Sequence, residues 1–369
     1  MKRASTLVFV ACTSVVLRVG NADAGGRPTL PSMAPVPSAN GQGVPGVPVL
    51  PVVQAPLDIN ARTLRVGPMA EYTTPSAAAA AARDGDTVEI AGGDYRADVA
   101  VWSANRLRIV GGTPRPHIRA EGQDAQGKGI WVIRGDDTVV DNVEMSGARV
   151  PDHNGAAIRV EGRNFGLRNS YLHDNENGLL TGANATSEIT IDHCEFARNG
   201  GGEGLTHNLY VGAVAKLTVS NSYLHHAIGG HNLKSRAVVS ILTDNRLADE
   251  ADGRSSYEAD FPNGGRVTLA FNIFQKGNAA ENTTLVSYGA EGLTADGKHE
   301  LVAKGNTFIS QRPSGARFLF IASGIKSAVV NGNVFAGPGS LPDLAGVRAN
   351  NAVQREMPGN VDLKPEGFQ

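Results

Sequence analysis

A short apolar strand, then Asn, then an apolar or aromatic residue recurs through the middle of this chain. The Asn positions are Asn142 ("DNVEM"), Asn169 ("RNSYL"), Asn221 ("SNSYL"), Asn245 ("DNRLA"), Asn272 ("FNIFQ"), Asn306 ("GNTFI") and Asn333 ("GNVFA"). His193 in "DHCEF" fills the gap between Asn169 and Asn221. Successive intervals are 27, 24, 28, 24, 27, 34 and 27 residues. A period in the twenties with variable insertions is a solenoid signature, since each repeat buries its apolar face only by stacking on its neighbours. A leucine-rich repeat requires a helical segment and a regular leucine frame, and both are missing. A parallel β-helix requires two or three short strands per coil joined by turns, which this pattern supplies. Its coils stack about 4.8 Å apart. An Asn at the same turn of each coil can pass amide hydrogen bonds up the stack and tolerates left-handed backbone. These asparagines are therefore expected to form a structural ladder.

The rest of the chain agrees with an all-β reading. Its 45 glycines and many asparagines break up short apolar runs, and helix formers concentrate in a single alanine run. The formal net charge of −2 gives no reason to expect nucleic acid as a partner. Lys2 and Arg3, the apolar run "ASTLVFVACTSVVL" and the "ADA" of Ala22 to Ala24 read as a cleaved export signal over 1–24. That places the protein outside the cytoplasm, secreted or periplasmic, with no membrane span after cleavage. The eight prolines between 25 and 56 mark a linker over 25–59. The folded body is expected over 60–340 and a polar tail over 341–369. Cys12 would leave with the signal, so Cys194 stands alone and stability must come from packing; a monomer is expected.

The entry to the repeat, "TPSAAAAAARDGDTVEIAGGDY", offers a short helix from about Pro75 to Ala82, an Asp-Gly turn and an alternating strand. This segment resembles the start of proteins in the right-handed parallel β-helix, or pectate-lyase-like, superfamily, where an alanine-rich cap leads into "GDTV-I--G-Y". The resemblance covers roughly residues 60–340. It implies a right-handed parallel β-helix with a short N-terminal α-helical cap. "HNLYVG", "HNLKSRA" and "SYEADFPNGG" also look like segments of exported bacterial members of that superfamily.

Two copies of His-Asn-Leu, at His207 and His231, lie 24 residues apart. Strand alternation sends i and i+2 to one side. Leu209, Val211, Leu233 and Ser235 then face in, and Asn208, Tyr210, Asn232, Lys234 and Arg236 face out. If Tyr257 and Ala259 face in, Glu258 and Asp260 face out beside Lys234 and Arg236, and Tyr288 reaches the same edge one coil on. His207 and His231 lie at the margin, facing in by strict alternation. Adjacent His225 and His226 would face opposite ways, which argues against a zinc pair.

The resemblance implies an acidic polysaccharide as substrate, and the residues suit β-elimination from a uronic acid. Arg236 matches a carboxylate bidentately. Either Lys234 or Tyr210 serves as base, and Tyr210, His207 or His231 as acid. Glu258 and Asp260 could pair with Arg236 or, with an Asn, hold Ca²⁺, which some superfamily lyases use; no cofactor is required by the sequence. Two alternatives stand beside the lyase. Glu258 and Asp260, about 6.6 Å apart along a strand, would suit an inverting glycoside hydrolase, whose carboxyls stand roughly 6.5–9.5 Å apart. A non-catalytic carbohydrate-binding scaffold linked to exopolysaccharide would use the same patch.

Overall fold

The computed structural model describes residues 62–356 except 281, 296, 326, 345, 346 and 348. The expected signal and linker lie outside the described residues. Among the described residues, three parallel sheets wind around one apolar interior. The first runs from Thr63–Val66 to Ser327–Asn331 and has 11 strands. The second, of 9 strands, runs from Ala100–Trp102 to Arg317–Ile321, and the third, of 11, from Asp94–Arg96 to Ala352–Gln354. Each strand pairs with the strand one coil before and one coil after. Leu179, Leu209, Leu233, Ala259 and Val286 thereby fall in one buried row. Burial of such rows supplies about 25 cal/mol for each Å² of apolar surface removed from water. Phe274, Phe308 and Phe335 stack in the same way, with ring centroids 5.1 and 4.9 Å apart.

The cap is a helix over Pro75–Ala81. Thr74 Oγ1 accepts from Ala77 N, and Pro75 occupies the first turn, where a missing N–H costs nothing. Ala78 is buried in the core cluster with Leu64 and Trp102, so the helix covers the apolar end of the stack. At the other end the solenoid runs past residue 340, because Ala352–Gln354 pairs with Val334–Ala336. Among the described residues no helix is long and apolar enough to cross a membrane.

The single asparagine ladder requires correction: the repeated Asn occupy two different positions, one residue apart. At the turn from the first sheet to the third, Asn142, Asn169, His193 and Asn221 take left-handed backbone, with φ of 57°, 47°, 52° and 48°. In later coils Asp244, Phe271, Gly305 and Gly332 take that position. Asn245, Asn272, Asn306 and Asn333 come one residue later and are buried. Each donates from Nδ2 to the Oδ1 of the next, at 2.9, 3.0 and 2.9 Å, and Asn333 passes the chain to Asn351 at 2.8 Å. In the earlier coils Ser170 and Ser222 fill the inward position, their hydroxyls accepting from Val143 N and Cys194 N. Cys194 is itself buried, and that burial pushes its thiol up to about 12, so it packs rather than reacts.

The two positions predict opposite mutational behaviour. Asn272→Ala takes away the acceptor of the buried Asn245 N and Nδ2 and should lower unfolding free energy by about 1–3 kcal/mol. Asn221→Gly keeps the left-handed turn and should change it by less than about 0.5 kcal/mol. Equal losses in chemical denaturation would contradict the division.

Candidate functional site

A second buried ladder runs along the corner between the third and second sheets. Asn175 donates to Asn199 at 2.9 Å, Asn199 to Asn208 at 2.7 Å, Asn208 to Asn232 at 2.7 Å, and Asn232 to Glu258 Oε2 at 2.6 Å. It ends on a buried trio. Lys276 Nζ stands 2.8 Å from Glu258 and 3.4 Å from Asp249, all three without solvent contact. Burial, then the neighbouring Asp249, pushes Glu258 up to about 8. Burial acts on Asp249 in the same sense, but Lys276 prevails and holds it below the usual range. One cation facing two acids thus balances by leaving a proton on Glu258.

Asn208, Asn232 and Glu258 were expected on the exposed face, and the structure corrects this: all three are interior. The strands start at Leu209, Leu233 and Ala259. At the corner just before them the chain turns, so two successive side chains face in and alternation does not yet apply. Tyr288 is also corrected. It is fully buried, and its hydroxyl donates to Gly265 O at 2.6 Å. Glu258 and Asp260 therefore lie on opposite sides of the sheet. They form neither a hydrolase pair nor a shared Ca²⁺ site.

From each strand start the outward row can be followed across coils. Leu180, Tyr210, Lys234, Asp260, Ser287 and Phe320 are successive register partners, so four consecutive coils carry polar groups between Leu180 and Phe320. Lys234 Nζ is 2.9 Å from Glu291 Oε1 and 3.9 Å from Asp260 Oδ2. Arg236 reaches Glu291 Oε2 from Nη2 at 2.7 Å and donates from Nε to the Tyr210 hydroxyl at 3.0 Å. Its Nη1 donates to Asn263 Oδ1. Burial opposes ionisation of Glu291, but the hydrogen bonds from Lys234 and Arg236 outweigh it and lower its pKa.

His207 and His231, expected to face in by strict alternation, are buried but lie on the outer side within this cluster, because the chain turns just before them. Their rings stack at 4.5 Å, His207 meets Tyr210 edge-on at 5.3 Å, and His231 Nε2 is 3.6 Å from Asp260 Oδ2. His231 N donates to His207 Nδ1, so the hydrogen of neutral His207 sits on Nε2. Burial, then Lys234 and Arg236, pushes His207 down to about 3. Burial and then His207 hold His231 well below its usual value. Burial pushes Asp260 up to about 6. Ser287 Oγ stands beside Asp260 outside hydrogen-bond geometry, and His231 Nδ1 is buried without a partner among the described residues.

The structure thus brings together His207, Tyr210, His231, Lys234, Arg236 and Asp260. Sequence reasoning missed Glu291 and Asn263, and Tyr257, expected to face in, is half-buried with its ring 4.9 Å from His231. Asn263 was visible in "PNGG" but reads as a turn former. Glu291 follows Tyr288 in an irregular loop with no periodicity to assign it.

Asp260 gives a pH prediction. Its folded pKa is raised, so its contribution is full below about pH 4 and is lost as pH rises through about 6. Asp260→Asn removes that loss. The stability of the variant relative to the parent should rise between pH 4 and pH 7, by on the order of 3 kcal/mol. A pH-independent difference in melting behaviour would contradict the shift.

No protein-family model matches the chain, and no curated protein matches it in sequence. Comparison with solved structures gives matches at low identity. The pectate lyase Pel9A is 13% identical, over 82% of this chain and 78% of that one, with a TM-score of 0.48. The GH136 lacto-N-biosidase from Eubacterium ramulus is 13% identical over 80% and 68%, with a TM-score of 0.50. A PL6 family alginate lyase is 15% identical over 85% of this chain and 42% of its own length, with a TM-score of 0.43. The chain is a parallel β-helix, a fold it shares with the GH136 lacto-N-biosidase.

Proposed function

We propose that this protein is an exported polysaccharide lyase that cleaves a uronic-acid-containing chain by β-elimination on the outer face of the second sheet. One observation carries the reading. Lys234 and Arg236 grip the two oxygens of a single carboxylate, that of Glu291, beside the Tyr210 hydroxyl. A uronate carboxylate has the same charge and the same two-oxygen shape. Bound there in place of Glu291, it would have its charge compensated by an ammonium and a planar guanidinium.

That compensation is what β-elimination requires. The C5 proton becomes removable only when negative charge can spread into the neighbouring carboxylate. Tyr210 is the candidate base: its oxygen shares the Arg236 guanidinium with the carboxylate, and Arg236 offsets the charge that oxygen carries without its proton. The oxygen takes the C5 proton, the C4–O4 bond breaks, and its electron pair leaves with O4. A double bond forms between C4 and C5. The proton on Tyr210 then returns to O4. His207 Nε2–H and the Asp260 carboxyl are positioned to hold sugar hydroxyls. Lys234, with Glu291 at 2.9 Å and Asp260 at 3.9 Å, serves as a charge partner rather than the base.

The purified protein, incubated with a panel of uronic polysaccharides, should raise ultraviolet absorbance as unsaturated ends form. Reducing ends without absorbance would indicate hydrolysis, and binding without either product a scaffold. Both outcomes reject the lyase. With an active substrate found, Tyr210→Phe should lower kcat by about 10²–10⁴-fold.

Glu291 makes its own prediction. It competes with the substrate carboxylate, so Glu291→Gln should lower KM about two- to fivefold, as expected for a partly exposed ion pair. A raised KM would show instead that Glu291 helps hold the substrate.

A further inference from the structure

The third sheet carries a separate cluster near the N-terminal end of the solenoid. His117, Glu144 and His173 sit on three successive coils, where His117 pairs in register with Glu144 and His173 with Ser146. His117 Nδ1 is 3.2 Å and His173 Nε2 3.1 Å from the same oxygen, Glu144 Oε1. One ligand atom from each residue lies within 4.8 Å of the others, and all three side chains keep some solvent contact.

We propose that His117, Glu144 and His173 form a binding site for a divalent transition metal of the Zn²⁺ type. The separations carry the first argument. Ligands bonded at about 2.0–2.1 Å in a tetrahedron stand about 3.3 Å apart, close to both measured edges. Two imidazole nitrogens and one carboxylate suit Zn²⁺, whereas Ca²⁺ takes oxygen ligands. Three protein ligands leave a fourth position open.

The surrounding hydrogen bonds carry the second argument. His173 Nδ1 is 2.6 Å from Asp174 Oδ2, and Arg198 donates to both oxygens of Asp174, at 3.0 and 2.8 Å. A carboxylate held by Arg accepts, so the hydrogen of neutral His173 sits on Nδ1. The lone pair of Nε2 then points at Glu144, another acceptor. The 3.1 Å contact between them is completed by a cation, either a metal ion or the second proton of His173. On the far side of His117, Nε2 meets Ser146 Oγ at 2.8 Å. Each imidazole thus has its remaining nitrogen fixed, the outer-shell arrangement found around metal-bound histidine.

The chain also contains a natural comparison. "NSYLHDN" and "NSYLHHA" are internal repeats, and His225 Nε2 meets Glu195 at 3.1 Å just as His173 meets Glu144. Before Glu195 in that row stands Tyr171, where His117 stands before Glu144. The second copy lacks the third ligand. His225 and His226, expected to face apart, instead bring their Nδ1 atoms within 2.6 Å, because His226 takes left-handed backbone.

The test is titration of the full, tag-free, chelator-treated chain with Co²⁺, whose visible bands intensify on leaving six-coordinate water for a four-coordinate site. The parent and His225→Ala should each bind one equivalent, displaceable by Zn²⁺. Glu144→Gln and His173→Ala should lose the bands while circular dichroism shows the β-helix intact. Asp174→Asn should weaken binding by about 10–100-fold. A parent chain that develops no bands and retains no Zn²⁺ on dialysis overturns the site, leaving a proton on His173 as the cation. Parent-like binding by both Glu144→Gln and His173→Ala overturns it equally.

Discussion

The buried amide ladder at the corner below the second sheet is the interaction on which the candidate site depends. Asn175, Asn199, Asn208 and Asn232 tie successive coils through their side chains, so each coil leaves the corner at the same place. A paired amide in the dry interior is worth keeping because an unpaired one costs about 1–3 kcal/mol. With the corner pinned, the residue before Asn208 and Asn232 and the second residue after each emerge on the outer face. His207 and Tyr210 meet on one coil, and His231 and Lys234 on the next. The end of the ladder on Glu258, Lys276 and Asp249 confines two acids to the interior and leaves Asp260 the acid on the strand's outer face.

Charge is distributed with the same economy. Lys234 and Arg236 would repel each other if left alone, and Glu291 spans them from a loop two coils further on. The histidines lie under this layer, where burial and the cations above them disfavour a further positive charge. The resulting surface offers a carboxylate seat flanked by neutral donors and a phenol, on a scaffold that the stacking makes rigid.

Much of this fold was legible because its determinants are periodic. Intervals of 24 to 34 residues, inward leucines and left-handed Asn turns all repeat, and stacking one coil on another follows from them. The alternation that put Leu209, Leu233 and Ala259 inside and Tyr210, Lys234 and Asp260 outside holds within the strands. It failed one residue before each strand, at Asn208, Asn232 and Glu258, because a corner reverses the facing that a strand would give. It also merged two kinds of turn asparagine, since a one-residue offset between Asn221 and Asn245 is invisible when insertions already vary the interval.

The sequence by itself determined the solenoid, its cap and the row of charged residues on adjacent coils, because short-range periodicity sets strand, turn and stacking order. Only the tertiary structure decided which polar residues are ladder and which are surface. It also decided that Glu291 closes over Lys234 and Arg236, and that His117, Glu144 and His173 converge. Those facts rest on the angle at which the chain turns each corner and on the path of an aperiodic loop. Both are set by contacts between residues distant in sequence.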